Sequence, residues 1–216
     1  MIAIDRRAAL GWAAFFLAGL AGAARAQAEG PEVLIQRIAA DLIEAVKSDA
    51  ALRNGDIARV SALVDSRLMP HVNFTRMTAS AVGRFWRQAT PEQKQKLQTE
   101  FKTLLVRTYA GALSQVKDQT LVVKPLRASP GDTEVVVRSE LRTPGKEPVQ
   151  LDYRVEKTDS GWKVYDLNVL GVWLVETYRG QFAQEINAKG IDGLIAALAQ
   201  RNRSNAAEKS PVGAKG

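Results

Sequence analysis

Few residues in this chain could carry out catalysis. It has one histidine, His71, and no cysteine. Thiol nucleophiles, disulfides and Cys-ligated zinc or iron–sulfur sites are therefore excluded. A His-rich metal site or a twin-histidine acid/base pair cannot be assembled within one chain. His71 follows Met69-Pro70, a helix stop, and a capping or structural hydrogen bond is its favoured role. Asp152 and Asp166 fall on adjacent predicted strands, and paired carboxylates can do acid/base work. Alternation puts Asp152 on a charged face, so solvent exposure is expected for it. No G-x-S-x-G or Walker sequence occurs, and Gly171, Gly180 and Gly190 are not spaced as a phosphate loop. No catalytic residue, cofactor or metal site is assigned.

The 216 residues are 46% apolar and 25% charged, a globular balance that excludes wholesale disorder. A net charge of +7 favours anionic partners: nucleic acid, acidic protein or anionic membrane. Aromatics at 6% are thin for stacking on nucleic acid. The first 26 residues read as a targeting signal. Arg6-Arg7 precede an apolar run from Ala8 to Ala24, and Ala24-Arg25-Ala26 is a small-residue cleavage site, with Ala26-Gln27-Ala28 a second choice two residues on. The run is short and rich in Ala and Gly for a spanning helix, which needs about 20 residues. Arg6-Arg7 also leaves the twin-arginine export route open beside the general secretory one. Cleavage after Ala26 removes Asp5, Arg6, Arg7 and Arg25 and lowers the net charge from +7 to +5. Export weakens the nucleic-acid reading and points to an exported protein.

The elements that must position any site run helices, strands, helices. Leu34, Ile35, Ile38, Leu42, Ile43 and Val46 give one helical stripe. Ile57 to Leu68 gives a second, with Asp56 as its cap. His71 to Arg87 is apolar but less clearly periodic. Thr90-Pro91-Glu92-Gln93 is a capping-box start for a helix of about 25 residues. Then the period changes to two. Leu121 and Val123 begin an extended piece. Val135, Val137, Ser139 and Leu141 form one face of a strand, and Val149, Leu151, Tyr153 and Val155 one face of the next. Trp162–Val169 completes about four antiparallel strands joined by short turns. After Gly171 the helical period returns, Gly190 ends that helix, and Ile191 to Leu198 form a last short one. Residues 203–216 are expected to be a loose polar tail. The fold class is α+β, one domain over 27–202, with a twisted antiparallel sheet covered on its apolar face by helices from both ends of the chain.

Large apolar side chains are the informative excess. Phe101, Leu105 and Tyr109 lie on one face of the long helix, and Leu174, Tyr178 and Phe182 repeat the same spacing on the helix after the sheet. Phe74, Phe85 and Trp86 add to them. Plain core is the default for each, yet a helix layer standing off a small sheet would leave an apolar cleft where ligands tend to bind.

Six ordered segments carry a family likeness: Leu68–Phe74, Trp86–Gln93, Phe101–Tyr109, Gly161–Leu167, Thr177–Phe182 and Lys189–Leu194. They resemble the MlaC family of periplasmic phospholipid-binding, or toluene-tolerance auxiliary, proteins, from about Pro31 to Asn202. The resemblance implies an exported carrier of phospholipid and no enzyme. It implies shuttling between an outer-membrane lipoprotein complex and an inner-membrane lipid ABC transporter. A monomer that binds no nucleic acid is expected. The expected lipid-binding residues, converging on one cavity, are Phe74, Phe85, Trp86, Phe101, Leu105, Tyr109, Val149, Leu151, Tyr153, Val155, Leu174, Tyr178 and Phe182. Leu170 stands where the family usually has an acidic residue, and Trp173 where it has a small one. A hopanoid-type polycyclic lipid or another apolar small molecule is the alternative cargo.

Overall fold

The computed structural model describes residues 29–208 except 114, 117 and 130. The targeting segment and the last residues of the tail lie outside the described residues.

Among the described residues six α-helices and five strands follow the expected order. Helix α1 (Pro31–Ser48) has proline in its first turn and buries Leu34, Ile35, Ile38 and Val46. Asp49 ends it and caps the short α2 (Ala50–Arg53), its Oδ1 accepting from the Ala51 N–H at 2.8 Å. Asp56 caps α3 (Ile57–Leu63). A π-helical turn (Val64–Leu68) and a 3₁₀ turn (Met69–His71) then lead to Asn73, which caps α4 (Phe74–Val82). The weak periodicity of 71–87 has a physical cause: Gly83 takes φ +64°, which ends α4, and Gly83–Gln88 continues as a 3₁₀ segment. Helix α5 (Pro91–Leu113) opens on the expected capping box, with the Thr90 N–H donating to Gln93 Oε1 at 3.0 Å and the Gln93 N–H to Thr90 Oγ1 at 3.2 Å.

The sheet is an antiparallel meander, β1 (Thr120–Val123), β2 (Glu134–Arg142), β3 (Val149–Thr158), β4 (Gly161–Val169) and β5 (Val172–Trp173), in that spatial order. The fifth strand was not expected; two residues carry no periodicity. A bulge on β4 leaves Tyr165 between the pairs Val155–Val164 and Arg154–Asp166. It resets the alternation. Trp162 and Val164 lie on the apolar face before it, and Leu167 and Val169 after it.

Helix α6 (Leu174–Glu208) is broken at Gly190, where φ is +73°, as the glycine predicts. Its second half reaches Glu208, beyond Asn202, where the sequence reading ends the domain. Asn202 is buried and donates to Glu100 Oε2 at 2.7 Å, anchoring this last stretch on α5.

Buried apolar residues form three clusters. One joins α4, the first half of α5 and α6. A second joins α1 to the sheet. A third joins the end of α1 to α2, α3 and the second half of α5.

Candidate functional site

The expected binding residues are spread over the helices and the sheet. The structure divides most of them between two clusters. Phe74, Phe101, Tyr178 and Phe182 are buried in the helical one, with Phe101 fully buried. Their rings pack directly: Phe101 lies 4.9 Å from Tyr178 and 5.2 Å from Phe182, both edge-on, and 5.8 Å from Phe74. This is the spacing of filled aromatic packing. Leu105, Phe85 and Trp86 are partly buried against the same cluster. Arg84 lies over the Phe85 ring and Lys94 over Trp86. Leu174 is buried outside it, and Tyr109 is 39% exposed.

Val155, Leu151 and Tyr153 belong to the sheet cluster, with Ile35 and Ala39 of α1. Val149, at the strand end, is half-buried. Val72 is the partly buried residue that packs against both clusters. It is held there by a bridge to Val164 and by the Asn73 N–H donating to the Val164 carbonyl at 2.8 Å.

The apolar face of the sheet is unevenly covered. Helix α1 packs on β1 and β2, where Val135, Val137 and Leu121 are buried. Toward β4 and β5, Leu151, Tyr153, Leu167 and Val169 are half-buried. Register places Tyr153 opposite Leu167 and Leu151 opposite Val169. None of the three clusters includes Leu167 or Val169. These two were missed in the sequence because the bulge at Tyr165 shifts them onto the apolar face; unbroken alternation from Trp162 assigns them to the other. The Tyr153 hydroxyl, beside Ser139, has its pKa pushed up to about 12 by burial.

The opposite face is polar and tightly paired. Asp166, 1% exposed, accepts from the Leu167 and Val175 N–H groups and from Arg154 Nη1 at 2.9 Å. Burial pushes its pKa up, against the pull of those donors. Arg154 also reaches Glu176 at 3.3 Å and stacks 4.0 Å over the Trp173 ring. These contacts tie the start of α6 to the sheet. Asp152 is buried rather than exposed, between Arg138 and Asn168 in the register. One of its oxygens accepts from Gln150 at 2.9 Å. The two carboxylates are thus structural groups of the polar face.

A hollow of about 340 Å³ on this face is lined by Arg127, Arg138, Arg154, Asp132, Glu134 and Tyr165. A second, of about 290 Å³ between α4 and α5, is lined by Met69, Val72 and Phe74 together with Asn73, Gln98 and Lys102. Polar side chains outnumber apolar ones in both linings, Val135 and Val136 being the apolar ones of the first. His71 sits where the Met69–His71 turn meets α1. Burial lowers its pKa first, then the charges of Arg37 and Lys163. Among the described residues no group of three His, Cys, Asp or Glu side chains could hold a metal ion. No helix among them is long and apolar enough to cross a membrane.

Comparison with known proteins fits this framework. The family model described as MlaC protein matches residues 36–200. The chain belongs to the MlaC family. A crystallised phospholipid-binding protein from Ralstonia solanacearum, solved in complex with a phospholipid, shares 49% sequence identity. It superimposes with a TM-score of 0.80, covering 82% of this chain and 99% of that one. The intermembrane phospholipid transport system binding protein MlaC of Haemophilus influenzae is 25% identical over 79% of this chain and 81% of its own. The toluene tolerance protein ttg2D of Pseudomonas putida is 33% identical over 59% of this chain and 61% of its own.

Proposed function

We propose that this protein is a periplasmic phospholipid carrier whose acyl chains lie on the half-buried side of the sheet. The single observation that carries the site is the apolar strip Leu151, Tyr153, Leu167 and Val169, which α1 leaves partly uncovered. The helical aromatics are already packed against one another and serve as the frame that holds α5 and α6 together. The cargo reading is supported by the Ralstonia solanacearum relative, solved with a phospholipid. The Haemophilus influenzae relative, named for an intermembrane phospholipid transport system, supports the transport role.

The energetics suit a carrier. Two acyl chains hold about 30 methylenes, each worth about 0.8 kcal/mol when withdrawn from water. An apolar surface that shields them offsets most of that cost, and no catalytic group is required. A carrier only equilibrates, so direction must come from its partners: an inner-membrane lipid ABC transporter and an outer-membrane lipoprotein complex. Export follows from the sequence of residues 1–26, and a mature N-terminus at Gln27 would show in the intact mass of the exported protein.

Native purification, organic extraction and mass spectrometry test the cargo. Stoichiometric phospholipid is expected. A polycyclic lipid would replace the cargo but keep the carrier, and no extractable lipid would overturn both.

A further inference from the structure

Strands β4 and β5 are joined by a two-residue turn, Leu170-Gly171, since Val169 pairs directly with Val172. Both turn residues have positive φ, 53° for Leu170 and 89° for Gly171. This backbone suits Asn-Gly or Asp-Gly. Leucine is poorly matched to it, because its branched bulk is strained in the left-handed region. Leu170 is the one described non-glycine residue with positive φ, and its side chain is 66% exposed. It gains no buried contact in exchange for the strain. Val172 beside it is 57% exposed.

The turn is nevertheless held in place. The Leu170 N–H donates to the Gln150 carbonyl at 3.1 Å, and the Gly171 N–H to Asn168 Oδ1 at 2.8 Å. A fixed, strained, exposed apolar tip calls for a function that uses the side chain.

We propose that Leu170 and Val172 form a tip that enters the apolar layer of a lipid bilayer. Two observations select a bilayer over a protein. Two exposed side chains fall far short of the roughly 800 Å² per partner that a stable protein interface buries, whereas a bilayer accepts a single inserted side chain. The tip is also continuous with the apolar strip, since Val172, Val169 and Leu151 are neighbours in register across β5, β4 and β3. An acyl chain leaving the bilayer at the tip meets that strip next; this second point rests on the carrier reading. At this end of the sheet Glu140 pairs with both Arg142 and Lys124, and Lys146 adjoins Glu147 in the chain, so acidic and basic groups are interspersed around the tip. Binding should therefore be indifferent to lipid charge.

The test is flotation of the delipidated protein with vesicles, either phosphatidylcholine alone or phosphatidylethanolamine with phosphatidylglycerol. Leu170→Asn relieves the strain and removes the apolar tip together. It should melt a few degrees higher, by about 2 °C or more, yet float about tenfold less with both vesicles. Val172→Thr, which keeps a strand-forming residue, should float less without any gain in melting temperature. Flotation of Leu170→Asn equal to the unmodified protein would overturn the proposal. So would flotation of the unmodified protein only with the anionic vesicles, or none with either. Extractable lipid from the undelipidated, unmodified protein reports separately on the carrier reading.

Discussion

The helical aromatic cluster and the sheet's apolar face use similar side chains to different ends. Around Phe101 the rings fill the space, with centroids 4.9 to 5.8 Å apart and exposures of 9% or less. On β3 and β4 a comparable set, Leu151, Tyr153, Leu167 and Val169, stays half-buried. Packing of the first kind holds a fold; surface of the second kind can exchange water for an alkyl chain. Apolarity therefore marks both regions, and only the degree of cover separates the frame from the proposed site.

The largest expected effect breaks the frame. Phe101→Ala should cost about 3–5 kcal/mol, read by denaturant unfolding. Lipid per folded molecule should not change. Lipid loss in protein still folded by circular dichroism would move the aromatics into the site.

Next comes the polar face. Arg154→Glu would set a carboxylate against Asp166, buried and hydrogen-bonded at 2.9 Å to the guanidinium it replaces. A loss of about 3 kcal/mol is expected, the low end for a buried pair because Arg154 partly reaches solvent. Arg138→Gln, on the same face and exposed, should unfold within about 0.5 kcal/mol of the unmodified protein. Equal stability of the two variants would show that the Asp166 tie to α6 is dispensable.

Leu167→Glu sharpens the comparison from the other side. The residue is half-buried, so the fold should tolerate a carboxylate that can turn to water. Extracted lipid should fall by about tenfold or more, since an unpaired charge beside an alkyl chain costs more than the 1.4 kcal/mol that factor represents. Unchanged lipid content would remove β4 from the site.

The smallest effect concerns His71. Its pKa is lowered by burial, then by Arg37 and Lys163, so the folded state favours the neutral ring. Its contribution to stability is present above the unfolded value near 6.5 and is lost as pH falls through the lower folded value. His71→Gln should flatten that acid limb of the stability curve and leave lipid transfer intact. A transfer loss at neutral pH would give His71 a role beyond packing.

The order of elements was legible because their signals are local. Thr90 and Gln93 announce α5, and Gly190 announces the break in α6. The proposed site was less legible because its evidence is not local. The bulge at Tyr165 moves Leu167 and Val169 across the sheet, and nothing in Trp162–Val169 marks the extra residue. Asp152 reads as exposed from alternation, but its burial depends on neighbours from β2 and β4. Periodicity gives Tyr153 and Tyr178 equal standing; whether a ring is packed on all sides is set by elements far apart in the chain.

Those two tyrosines offer the most direct test. A photoreactive benzoyl-phenylalanine can replace Tyr153 on the sheet face or Tyr178 in the helical cluster. The protein is then irradiated in cells and its peptides weighed by mass spectrometry. A phospholipid adduct at position 153 and none at 178 is the expected result. An adduct at 178 with none at 153 would contradict the division between frame and site.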